Sequence, residues 1–126
     1  MLSKARGRIR IESTRTYSPS SRASPPIRIL IAGGQEIVRV GLRMILEGER
    51  DFLILGETAT LAATLSVAQI AKADVVLLEC EFPDGSGVEA CRRLIEDNPA
   101  IRVIMLTISN DPTAFHAAVK AGAHGY

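Results

Sequence analysis

Tryptophan is absent from this 126-residue chain, and aromatic residues make up only 4% of it. A core must therefore be built from aliphatic side chains, and apolar residues do reach 47%. That composition suits one domain with a buried sheet and helices on its faces. Cysteine is equally scarce: Cys80 and Cys91 are too few for a disulfide framework. In a sequence of cytosolic character they are expected as free thiols. No apolar run approaches the about 18 residues that a membrane helix needs. No apolar stretch follows the basic N-terminus, so a secretory signal is not expected. Histidine is limited to His116 and His124, with no partner at metal-ligand spacing, which argues against a zinc site.

The net charge of +1 conceals an uneven distribution. Residues 1–26 carry Lys4, Arg6, Arg8, Arg10, Arg15 and Arg22 against Glu12, a net of +5, and the remainder carries −4. The leader is rich in Arg and Ser, holds Pro19, Pro25 and Pro26, and has few large apolar residues, so 1–26 is expected to be a disordered basic tail. A transit peptide and a nucleic-acid-binding arm are lesser alternatives for it. The mildly acidic remainder, 27–126, offers no nucleic-acid surface of its own.

From Ile27 onward strand and helix signals alternate. Ile27–Ala32 (IRILIA) is a short apolar run ending in Gly33-Gly34, as a buried strand does. Glu36–Glu47 follows, with Ile37, Val40, Gly41, Met44 and Ile45 at helical spacing and Gly48 as a stop. Phe52–Gly56 reads as a second strand, and 60–72 as an Ala-rich helix around Leu61, Leu65, Ala68 and Ile70. Asp74–Glu79 (DVVLLE) is apolar almost throughout, as expected when both faces of a strand are covered. Cys80–Gly87 is a loop with Pro83 and Asp84-Gly85 as turn signals. Ser86 caps a helix running to about Asp97, with Glu89 as its capping-box partner and Asn98-Pro99 as its end. Ile101–Leu106 (IRVIML) is the fourth strand. After the Thr107–Asp111 loop a fourth helix spans Pro112–Ala121, closed by Gly122.

Four such alternations predict right-handed crossovers and a doubly wound parallel α/β sheet. Ligands of such sheets bind beyond the carboxyl ends of the strands. The residues that matter are therefore Gly33, Gly34 and Gln35, then Glu79–Glu81, then Thr107–Ser109. They set a single carboxylate, Glu79, against two glycines. Magnesium takes near-octahedral oxygen ligation, normally with one or two carboxylates, so no working magnesium-dependent site is expected. Gly33-Gly34 is not a G-x-G-x-x-G fingerprint either, which argues against a dinucleotide.

Taken in order, these segments resemble the receiver domain of bacterial response regulators, in particular the NarL/FixJ (LuxR-type) subfamily. The resemblance covers about residues 27–126. It rests on IRILIAGGQEIVRVGLRMIL at 27–46, DVVLLECEFPDGSGVEACRRL at 74–94, IRVIMLT at 101–107 and AVKAGAHGY at 118–126. It implies a flavodoxin-like sheet of order 2-1-3-4-5, cut off here at the start of the fifth strand. It also implies a site in which an acidic pair binds Mg²⁺ and an Asp accepts a phosphoryl group, with a hydroxyl and an aromatic residue as the switch. On this sequence the acidic pair falls on Gly33 and Gly34 and the phosphoacceptor on Glu79. The switch hydroxyl and aromatic fall on Thr107 and Tyr126, and the loop proline on Pro83. The lysine of the family site would lie past Tyr126. The expectation is thus a degenerate pseudo-receiver with no bound metal or cofactor and no enzymatic activity.

Three roles compete for Glu79: a fixed charge that imitates a phospho-aspartate and bonds Thr107, an inert filler, or part of a pocket that binds some other signal. A conventional phosphorylatable receiver, served by a histidine kinase, is the alternative reading. The expected partners are the chain's own effector domain or a second copy. DNA would be contacted only through a C-terminal domain beyond this chain, in a cytoplasmic transcription regulator without membrane contact. Cys80, flanked by Glu79 and Glu81, reads as packing rather than a reactive thiol, and Cys91 likewise. Arg39, Arg43, Arg92 and Arg93 read as solvated helix faces. Ile101–Leu106 is expected as a raw sheet edge.

Overall fold

A computed structural model describes residues 25–106 and 112–126. The tail proposed for 1–26 and the loop with Thr107 thus fall wholly or mostly outside the described residues. Strand β1 (Ile27–Ala32) leads into helix α1 (Glu36–Leu46), β2 (Phe52–Thr58), α2 (Leu61–Ile70) and β3 (Val75–Glu79). A two-residue pair, β4 (Glu81–Phe82) and β5 (Gly85–Ser86), precedes α3 (Gly87–Asp97), β6 (Arg102–Leu106) and α4 (Pro112–Lys120). The main sheet is parallel, in the order β2-β1-β3-β6. With β6 as the fourth large strand this is the flavodoxin-like arrangement expected from the sequence.

Alternation along the strands divides the apolar residues between two faces. Leu30, Ala32, Val76, Leu78, Val103 and Met105 point toward α2, α3 and α4 and form the larger core with Ala90, Cys91, Leu94 and Ala118. Ile29, Ile31 and Ile54 form a smaller core against Leu42 and Leu46 of α1. The helical spacing of Ile37, Val40, Gly41, Met44 and Ile45 does not mark the packed face of α1. Ile37, Met44 and Ile45 are 81%, 73% and 71% exposed. The helix carries apolar residues on two sides, and the pair Leu42 and Leu46, four apart, meets the sheet.

Several local details also differ from the sequence reading. β2 runs on to Thr58, because its last residues pair with Leu30–Ala32 of β1 across a register shift between Ile29 and Leu30. The Cys80–Gly87 loop contains the antiparallel β4–β5 pair, with Phe82 opposite Gly85 around Pro83-Asp84. The capping box is half made: Ser86 Oγ accepts from the Glu89 amide at 3.1 Å, while the Glu89 carboxylate is drawn to Arg92. Arg39 and Arg43 are not solvated. Their guanidinium Nε atoms each lie 3.2 Å from an oxygen of the partly buried Glu57. The outer edge of β6 is not raw either. His124 N–H donates to Val103 O (2.8 Å), its Nδ1 accepts from Val103 N–H (3.1 Å), and Met105 N–H reaches Gly125 O (2.9 Å). Gly125 bridges Ile104 in parallel, at the place where a fifth strand would pair.

Among the described residues no helix is long and apolar enough to cross a membrane.

Candidate functional site

Parallel pairing in register brings the carboxyl ends of the strands together. Ala32 lies beside Thr58 and Leu78, and Glu79 lies beside Leu106. Gly33 emerges next to Glu79, and Gly34 next to Glu81 and Pro83. Their amides are tied down at once, with Gly33 N–H on Thr58 O (2.9 Å) and Gly34 N–H on Glu81 O (3.3 Å).

Glu79 leaves the end of β3 and folds across Gly33. Its Oε1 accepts a hydrogen bond from the Gln35 amide at 3.1 Å. Gln35 is the N-cap residue of α1, and its own side chain makes no capping bond. The carboxylate thus sits at the positive end of the helix, where negative charge is favoured. The same end is held from the other side: Arg39 Nη1 donates to Gly33 O at 2.7 Å while its Nε faces Glu57. Arg39 is 13% exposed, so this cation is spent on the backbone and on Glu57.

The β4–β5 pair closes the lower rim. Pro83 Cδ lies 3.5 Å from the point that a Cβ at Gly34 would occupy. Asp84 reaches α2, where its two carboxylate oxygens accept from the Leu61 and Ala62 amides at 2.7 and 3.1 Å. These backbone donors, Leu61 first, hold the Asp84 carboxyl below its ordinary value. Thr60 caps the same helix through its hydroxyl, which accepts from the Ala63 amide (3.1 Å). Gly87 N–H donates to Cys80 O at 2.7 Å. A Cβ at Gly87 would fall against the Glu79 carbonyl oxygen and within 2.9 Å of Cys80 Cα, so glycine is required there by backbone contact.

Tyr126 packs edge-on against Phe115 of α4, with ring centroids 5.2 Å apart and planes at 87°, and it is 41% exposed. Thr107 lies outside the described residues. The pairing of Glu79 with Thr107 that the sequence suggested thus has a described competitor, the Gln35 amide. Cys80 Sγ is directed at Leu106 O (3.6 Å), and Cys91 is fully buried, with its thiol pushed up by burial. Sequence reasoning overlooked Asp84 as a cap, Gln35 as the partner of Glu79, and Gly87 as a steric necessity. Asp84-Gly85 signalled a turn, but nothing local points from position 84 to the start of α2 or from 79 to 35.

The sheet order, the strand-end cluster and the α-helical cover define a receiver domain. The family model for the response regulator receiver domain matches residues 29–126, and the chain belongs to that family. Over 100 residues it is 32% identical to the DNA-binding transcriptional activator DevR/DosR of Mycobacterium tuberculosis and 30% identical to the response regulator UvrY of Escherichia coli. Each match takes in 79% of this chain and 46% of the relative, so the chain spans about half the length of the curated relatives it matches. Among solved structures, a LuxR-family two-component response regulator from Aurantimonas sp. superposes with a TM-score of 0.76 at 26% identity, covering 80% of this chain and 72% of that one. The receiver domain of the response regulator NarL from Mycobacterium tuberculosis superposes at 0.75 with 21% identity, covering 81% and 82%. That second likeness is one of fold.

Proposed function

We propose that this chain is the receiver part of a transcription regulator and that its output does not depend on transfer of a phosphoryl group to Glu79. The observation that carries this reading is the engagement of the Glu79 carboxylate, across Gly33, with the Gln35 amide. Magnesium would need several oxygen ligands at about 2.0–2.1 Å in octahedral array. Gly33 and Gly34 supply no side-chain oxygen, Glu79 Oε1 already caps α1, and the Glu81 carbonyl already accepts from Gly34. Among the described residues no three His, Cys, Asp or Glu side chains gather where a metal could be held. The donor set does not fit the ion.

Phosphoryl transfer rests on positioning and on stabilising charge. A carboxylate misplaced by about 1 Å already costs about 10²-fold in rate. Glu79 carries one methylene more than the family's Asp and points at a helix terminus. The domain then acts by contact with its own effector domain or with a second copy, in the cytoplasm and without catalysis or cofactor. DNA is reached only through a domain beyond this chain, a reading supported by the likeness to the DNA-binding activator DevR/DosR, of which the match takes in 46%. Residues 1–26 act as a separate basic tail. Pro83 shapes the loop, and Thr107 and Tyr126 are the inherited switch pair.

Incubation with Mg²⁺ and acetyl phosphate tests this reading by intact mass. No gain is expected. A stable gain of one phosphoryl group that maps to Glu79 refutes the proposal and restores a conventional, kinase-served receiver.

A further inference from the structure

We infer that Glu79 and Gly33 form a steric interlock that anchors the start of α1. The inference rests on the reading of this site given above and concerns what the glutamate does in place of phosphoryl chemistry. A Cβ at Gly33 would meet Oε1, Cδ and Cγ of Glu79, all closer than 3.0 Å. The outer half of the glutamate therefore lies in the volume that any other side chain at position 33 would fill. Any larger residue at 33 must turn the end of Glu79 aside, and backbone strain plays no part, because the positive-φ glycine among the described residues is Gly122 and not Gly33.

Gly34 provides the contrast. A Cβ there would meet Glu81 O at 3.3 Å and Pro83 Cδ at 3.5 Å, tight but close to ordinary contact. Only one of the two glycines is thus interlocked with residue 79. The glutamate also gains a partner by lying there. It reaches the amide of the N-cap residue, the role that the second member of a capping box plays from within a helix, here played from 44 residues away. Within the described residues the carboxylate serves the start of α1.

A double-mutant cycle tests the interlock on the full chain, with urea unfolding read by circular dichroism. Gly33→Ala is expected to lower the folding constant by about fivefold, because the methyl group turns Glu79 away from the Gln35 amide. In the Glu79→Ala background the same alanine is expected to cost less than about threefold or to stabilise, since it replaces a glycine in unstrained backbone. Gly34→Ala serves as the size control, with an effect that does not depend on residue 79. Equal factors for Gly33→Ala with and without Glu79 would overturn the interlock. Should Gly33→Ala fail to fold, rescue by Glu79→Ala supports the proposal, and an unfolded double variant overturns it. As an independent readout, Glu79→Ala is expected to speed hydrogen exchange of the Gln35 amide by about tenfold, and an unchanged rate refutes the anchor. The phosphoryl mass gain described above would sink the functional reading whatever the cycle shows. Additivity without a mass gain would sink only the interlock.

Discussion

Thr58 and Thr64 offer a sharp test of how the strand-end region is held together. Thr64 is fully buried and Thr58 nearly so, and their hydroxyl oxygens lie 2.7 Å apart. Thr64 Oγ1 also lies 2.7 Å from Thr60 O, which can only accept, so the Thr64 proton points there. Thr58 must therefore donate to Thr64. The chain of donors runs one way, and the two threonines are not equivalent. Thr64→Val strands a buried donor on Thr58, at a cost of about 1–3 kcal/mol. Thr58→Val leaves Thr64 donating to Thr60 and removes one neutral bond, at about 0.5–1.5 kcal/mol. Adding Thr58→Val to Thr64→Val removes the stranded donor and should return part of the loss, because Thr60 O still accepts from the Thr64 amide at 3.0 Å. At about 4–8 °C per kcal/mol for a domain of this size, Thr64→Val alone should lower Tm by very roughly 4–24 °C. Urea melts of the three variants, read by circular dichroism, provide the comparison. Equal losses in the two single variants, or simple additivity in the double, would refute the assigned donor order. The network bears on the site directly, because Thr58 O is the acceptor for Gly33 N–H.

Two further outcomes follow from the same rim. Gly87→Ala places a methyl group against the Glu79 carbonyl and Cys80 Cα. Backbone cannot rotate away as a side chain can, so a loss of about 3 kcal/mol or more is expected in a urea melt, and a change under 1 kcal/mol would contradict the geometry. Asp84→Asn should weaken the start of α2 and flatten the acid limb of the stability profile. The Asp84 carboxyl is held below its ordinary 3.8 by the Leu61 and Ala62 amides. A depressed carboxylate contributes stability that is fully present above its unfolded value and is lost as pH falls through its folded value. The wild type should therefore lose stability below about pH 4 more steeply than Asp84→Asn. Parallel curves would remove Asp84 from that role.

Much of this domain is legible in the sequence. The alternation of short apolar runs with helical spacing gives the four main strands and the four helices, since both periodicities are local properties of the chain. Once the strands are parallel, the residues that follow them must share one end of the sheet. Gly33, Gly34 and Glu79 are thus assigned to that end by strand order alone. The absence of acids at 33 and 34 is likewise a fact of composition at known places. What local pattern could not decide was which side of α1 packs, because both of its flanks are apolar. Leu42 and Leu46 meet Ile29, Ile31 and Ile54, and Ile37, Met44 and Ile45 remain outside.

The remaining features are decided by tertiary structure alone. Gln35 meets Glu79 across 44 residues, and Asp84 meets Leu61 across 23. His124 pairs with Val103 across 21. Each of these bonds exists because strand register sets two distant termini within hydrogen-bonding reach, and register is a property of paired chains. From the sequence alone, Glu79 is an acid at the end of one strand, with two glycines at the end of another. In the folded domain its carboxylate end lies where a Cβ at position 33 would stand, and it caps α1 through the Gln35 amide.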